Sequence, residues 1–205
     1  MDLLKQYSST GGIVVHIHRN IEKVVEFLNI DKTRPAYVED MAAVWNRRKP
    51  WYTECSNYQY YSPIVSESDL TIAQADLSRF LAIVTGNSDY HGRLLEKIRS
   101  FFVLSTYPNL EEAMDVINAV TIGSDTVEVR VDLLVDPTDS NDVATLAFVS
   151  EQLAVLRGKS QLPIVFTVRA QSQGGKPTDG DHEGALELYI TTIRMRLEFI
   201  DLEIP

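Results

Sequence analysis

Hydrophobic and polar positions alternate in two distinct rhythms along the chain, and their order organises the second half into a repeating unit. A strand-like run SFFVLST (100–106) precedes a helical pattern NLEEAMDVINAV (109–120), and TVEVRVDLL (126–134) precedes NDVATLAFVSEQLAVLRG (141–158). LPIVFTVR (162–169) then precedes EGALELYITTIRMRL (183–197), and EFIDLEI (198–204) reads as a fourth strand. Successive strands separated by helices must run parallel, because a helical crossover returns the chain to the same end of the sheet, so the pattern predicts either a doubly wound sheet or a barrel.

The first half is less regular. A short helix end and two glycines at 11 and 12 precede an apolar strand IVVHI (13–17) and an amphipathic helix IEKVVEFL (21–28). The polar stretch NIDKTRPAYVED (29–40) reads as a loop, since Pro35 pushes Arg34 out of helical conformation. A helix over MAAVWNRR, a strand QYYSP (59–63) and a helix LTIAQADLSRFLAIVTG (70–86) complete it. This order suits the final third of a small α/β nucleotide-binding domain.

Charge sharpens the division. Residues 1–99 hold 12 Lys and Arg against 12 Asp and Glu, whereas residues 100–205 hold 7 against 17, so the whole net charge of −10 belongs to the second half. A step of this size marks a junction between domains, placed at residues 87–99 beside the turn-forming GNSDYHG (86–92), with domains over 1–86 and 100–205. An acidic balance argues against a nucleic-acid partner. No apolar run approaches the roughly 20 residues a membrane span needs, and no signal-peptide pattern opens the chain, so the expectation is a cytoplasmic protein without a membrane partner. At 205 residues the chain is short for a closed barrel of eight βα units plus a second domain, because the barrel alone takes about 200–250 residues.

The run TVEVRVDLL carries the best chemical clue. Alternation places Val127, Val129 and Val131 on one face and Glu128, Arg130 and Asp132 on the other. Parallel strands are normally buried on both faces, so three ionisable groups on one face need a reason. The next strand ends in Arg169, ahead of the polar loop AQSQGGKPTDGD. Ligands of such sheets sit at the C-terminal ends of the strands, where Arg130 and Arg169 would both arrive, and a guanidinium fork matches a carboxylate. An ion pair between Glu128 and Arg130 at a solvated strand end accounts for the same pattern equally well.

Other candidates are weaker. His16 and His18 share a strand face but lack a third ligand at metal-binding spacing, and the single Cys55 can form neither an internal disulfide nor a cysteine-built zinc site. GGKPT (174–178) does not satisfy the GxxxxGK[ST] pattern of a phosphate-binding loop, and no other stretch of the chain does. Arg47, Arg48 and Lys49 beside Trp51 and Tyr52 read as a solvated helix end or an anion site.

Long runs of the chain carry a family resemblance. IDKTRPAYVEDMAAVWNRRKPWYTECSNYQYYS (30–62) resembles the C-terminal portion of the shikimate kinase domain of fungal pentafunctional AROM polypeptides. SDTVEVRVDLL, LPIVFTVRAQSQGG and EFIDLEI resemble the N-terminal half of the type I 3-dehydroquinase domain that follows it there. The resemblance implies an α/β fold: the C-terminal piece of a P-loop kinase-like domain, then the first half of a (β/α)8 TIM barrel. In the kinase family the TRP motif lies on the lid that closes over ATP, so Arg34 resembles the arginine that neutralises the transferring phosphoryl group. The RxPxY pattern places Arg48 at the position that binds the shikimate carboxylate. ATP and magnesium belong to an intact kinase, whose P-loop and magnesium ligands would precede residue 1.

Type I dehydroquinases eliminate water from 3-dehydroquinate through an imine between a lysine and the substrate ketone, with a histidine moving the proton and no cofactor. By motif, Glu128, Arg130 and Arg169 resemble the residues that hold the substrate's polar groups and carboxylate. Asp201 resembles the residue that orients the catalytic histidine. Gln173 stands where many bacterial enzymes carry glutamate, so no proton-handling role transfers to it. The histidine motif and the Schiff-base lysine would follow Pro205, and Lys176 and His182 lie in the wrong context to replace them. The expectation is thus a shikimate-pathway segment that is inactive by itself, with the remaining AROM domains as its natural partners. The alternative is a ligand-sensing regulator of the quinate-repressor type, which resembles the same domains.

Overall fold

The computed structural model describes residues 1–30, 39–63, 70–88, 90–138, 144–177 and 182–203. Contacts divide the chain into two compact units, Met1–Ser62 and Pro63–Pro205.

In the first unit, helix α1 (Asp2–Ser9) leads to strand β1 (Val15–His18), helix α2 (Ile21–Ile30), helix α3 (Met41–Cys55) and strand β2 (Tyr58–Tyr61). The two strands pair in parallel, with His16 opposite Gln59 and His18 opposite Tyr61. Asn57 fixes the entry to this pair. Its side-chain oxygen accepts from the Val14 amide at 2.9 Å while its amide nitrogen donates to the Gly12 carbonyl at 2.7 Å. Asp40 caps α3 by accepting from the Ala43 amide at 3.0 Å. The helix runs seven residues beyond the predicted MAAVWNRR and passes through Pro50, which forgoes one intrahelical hydrogen bond. Tertiary packing explains the extension: Val44, Arg48, Tyr52 and Cys55 share one face, with Val44 and Cys55 buried and the Tyr52 ring 5.5 Å from that of His16.

The second unit begins with helix α4 (Leu70–Val84), followed by a short helix α5 (Tyr90–Leu95) within the stretch read as linker. Strand β3 (Phe102–Ser105), helix α6 (Leu110–Val120), strand β4 (Thr126–Arg130), helix α7 (Leu146–Arg157), strand β5 (Ile164–Thr167), helix α8 (His182–Met195) and strand β6 (Phe199–Asp201) then alternate. The four strands form one parallel sheet in sequential order β3-β4-β5-β6. That order decides between the two architectures the pattern left open. A doubly wound sheet reverses direction at a switch point, whereas stepping always to the same side is how a βα barrel is built.

The register assigns the faces. Val127, Val129, Ile164 and Phe166 are completely buried and lie on one face, where the Phe166 ring meets Tyr189 of α8 edge-on at 6.4 Å. The helices cover this side through stripes such as Ala113, Met114 and Ile117 of α6 and Val149, Leu153 and Leu156 of α7. Asn109 and Thr145 cap α6 and α7, and the Gln152 side chain accepts from the Leu110 amide at 2.6 Å, tying one helix to the other. The opposite face corresponds to the interior of a barrel and carries Leu104, Glu128, Arg130, Val165, Thr167, Phe199 and Asp201.

Candidate functional site

Parallel register sets Arg130, Thr167 and Asp201 level with one another at the C-terminal ends of β4, β5 and β6. Glu128 lies two residues earlier on the same face, beside Leu104 and Val165. Three adjacent strands therefore deliver polar groups to one rim, where ligands of βα barrels bind.

Strand β4 is shorter than the alternation predicts. It stops at Arg130, and Val131–Leu133 form a 3-10 turn that carries Asp132 back toward the arginine. Arg130 donates from Nε to Oδ1 of Asp132 at 2.8 Å and from Nη2 to Oδ2 at 2.7 Å, so the carboxylate grips the guanidinium fork from one side. This hydrogen-bonded pairing holds the Arg130 pKa above its ordinary value. Asp132 Oδ1 also accepts from the Arg169 amide at 3.3 Å, linking the ends of β4 and β5. The ion pair proposed for Glu128 is thus replaced by one to Asp132. Glu128 is 7% exposed and its Oε1 has no hydrogen-bond partner among the described residues; the same holds for Thr167 Oγ1, which is fully buried.

Arg169 is half-buried at the start of the loop after β5. The backbone beside it is clamped: Glu203 accepts from the Ala170 amide through both carboxylate oxygens at 3.1 and 3.2 Å, and the Gly175 amide donates to the Ala170 carbonyl at 2.8 Å. A Cβ on Gly175 would overlap the Arg169 carbonyl, which is why glycine stands there. Gln173 is exposed in a 3-10 turn that ends at Gly174, whose φ is 83°. Asp201 is half-buried, and its carbonyl accepts from the Tyr189 hydroxyl at 3.4 Å. Burial, reinforced by the carboxylates of Glu203 and Asp201, raises the Tyr189 pKa.

In the first unit, Arg48 is half-buried on α3, one turn before Tyr52. Arg34 lies outside the described residues. Arg47 donates to Glu39 at 2.8 Å on the surface. His16 and His18 are buried in an aromatic stack, their rings 3.8 Å apart, with the His18 ring parallel to Tyr61 at 4.3 Å. Cys55 is buried, its thiol 3.7 Å from the Met1 carbonyl. Among the described residues no group of three or more His, Cys, Asp and Glu is placed to hold a metal. Nor is any described helix long and apolar enough to cross a membrane.

The sequence pattern did not single out Asp132 as the partner of Arg130, Thr167 as its neighbour or Glu203 as the clamp beside Arg169. Thr167 carried a signal, a lone hydroxyl at the end of the apolar run IVF. Glu203 carried none, since its partner is a backbone amide 33 residues away in sequence.

Sequential parallel strands with a guanidinium, a hydroxyl and carboxylates on one rim define part of a βα barrel of the kind that binds its ligands at that end of the sheet. The chain belongs to the type I 3-dehydroquinase family, whose model matches residues 101–205, and residues 1–85 match the model of shikimate kinase. A solved structure described as dehydroquinate dehydratase and shikimate dehydrogenase from S. pombe AroM matches with a TM-score of 0.54 and 41% identity. That match covers 56% of this chain and 22% of the relative, so the chain corresponds to about a fifth of that protein's length. The first family is one of lyases that need no cofactor, and the second is one of transferases that use ATP and magnesium. Their order is that of a segment of the fungal AROM polypeptide in the shikimate pathway.

Proposed function

We propose that the second unit supplies one side of a 3-dehydroquinate site. Arg169 and Arg130 bind the carboxylate and neighbouring polar groups, Glu128 accepts from a substrate hydroxyl, and Asp201 orients the proton-transferring histidine of the intact family. The observation that carries this reading is the buried Glu128 oxygen without a partner, on the interior face two residues from a clamped arginine. Desolvating a carboxylate oxygen is costly unless a donor meets it, and a polyhydroxylated ligand brings donors. In the first unit, Arg48 binds the shikimate carboxylate and Arg34 the transferring phosphoryl group, with ATP and magnesium held in the intact kinase. The chain acts in the cytoplasm beside the other AROM domains, with small-molecule substrates and no nucleic-acid or membrane partner.

Calorimetric titration with 3-dehydroquinate tests the site directly. Saturable binding is expected, weakened at least tenfold in Arg169→Met and in Glu128→Ala. Equal affinity in the native chain and both variants, or no binding at millimolar ligand, overturns the assignment of these residues.

A further inference from the structure

Helix α4 matches the kinase family in sequence, yet it packs in the second unit. Its buried positions Asp76, Phe80 and Val84 fall four residues apart on one face, so a carboxylate is buried in line with two apolar side chains. Asp76 Oδ1 accepts from Arg79 Nε at 3.0 Å and Nη2 at 2.7 Å, which turns the third nitrogen of that guanidinium outward. Nη1 donates to Glu198 Oε1 at 2.6 Å across 119 residues of sequence. The second oxygen of Glu198 accepts from Arg157 of α7 and, at 3.0 Å, from the amide of Ile164, the first residue of β5. Arg157 in turn donates to the Leu162 carbonyl at 2.8 Å.

We infer that α4 is a fixed part of the dehydroquinase-type unit, joined by the Asp76, Arg79, Glu198 and Arg157 network to the N-terminal end of its sheet, so that this cooperative unit starts near Pro63. Glu198 sits immediately before β6 and holds the first amide of β5, at the end of the sheet opposite Arg130, Thr167 and Asp201. Arg79 is therefore a structural partner of two strands that end at the candidate site. The geometry differs from that of a solvated linker helix, whose surface ion pairs contribute little. Here both carboxylates are almost completely buried, and removing one partner would leave an uncompensated charge.

Hydrogen exchange on the full 205-residue chain tests the inference. In the native chain the amides of α4 should exchange with the same protection as those of β5 and β6, because one cooperative unit opens together. Arg79→Met should speed exchange at Ile164 and along β5 by about tenfold or more and leave β1 and β2 unchanged. Arg79→Lys, which keeps the charge without the fork, should fall between the two. Should Arg79→Met fail to fold, the native protection pattern and the lysine variant still decide the question. Protection of α4 that follows β1 and β2, or unchanged β5 exchange in the variants, overturns the inference.

Discussion

Arg130 is useful as a ligand-binding group only if its fork points one way, and Asp132 supplies that constraint through two parallel hydrogen bonds. The period-2 reading placed Glu128, Arg130 and Asp132 on one face. It could not see that the backbone turns after Arg130, and the turn converts a neighbour in sequence into a chelating partner. Asp132→Asn keeps the shape but removes the charge and one acceptor. The variant should fold and bind 3-dehydroquinate about tenfold or more weaker by titration calorimetry, since hydrogen bonds to charged groups contribute about 1.5–3 kcal/mol. Unchanged affinity would show that Arg130 needs no such restraint. Arg169, expected to end its strand, lies two residues past the end of β5, and the clamps on its backbone by Glu203 and Gly175 depend on contacts between distant segments.

Among the elements, strands and helices of the second half were legible from apolar periodicity, but α7 starts at Leu146 and not at 141. The caps Asn109 and Thr145 that fix the helix starts emerge from the side-chain hydrogen bonds of the structure. Strand ends were less legible: TVEVRVDLL yields only five strand residues, Thr126–Arg130. Helix α3 departs in the other direction, continuing through Pro50 to the buried Cys55 although the proline forgoes one hydrogen bond. The junction between β5 and β6 allows a pH prediction. Burial raises the Glu198 pKa, but the charges of Arg157 and Arg79 and the Ile164 amide lower it further, and the net shift is downward. A depressed carboxylate stabilises the fold fully above its unfolded pKa of about 4.3 and loses that contribution as pH falls through the folded value. Glu198→Gln should therefore lower stability at neutral pH and flatten the acid limb below about pH 4, as read by urea denaturation across pH. A parallel downward offset with an unchanged acid slope would contradict this.

For the whole molecule, periodicity established parallel βα units and left a barrel and a doubly wound sheet open. The family resemblance chose the first half of a barrel, and the sequential strand order agrees with it. As edge strands, β3 and β6 each have one neighbour among the described residues, and Phe102 and Leu104 of β3 are 63% and 43% exposed. Unpaired parallel edges with apolar side chains recruit further strands. The purified chain should accordingly bind a hydrophobic dye, associate with rising concentration in sedimentation velocity and melt broadly. A sharp, reversible, concentration-independent transition of a monomer would refute this.

The bond from Arg79 to Glu198 also bears on how such polypeptides are assembled from gene segments. An exchange of DNA made between the two family matches, after residue 85 and before residue 101, would pair a new barrel with an old helix α4. Unless the incoming barrel carried an acceptor at the position of Glu198, Arg79 and Asp76 would be left beneath a foreign surface. Crossovers near residue 63 keep helix and barrel together, so the tolerated breakpoint lies more than 20 residues inside what sequence matching assigns to the kinase.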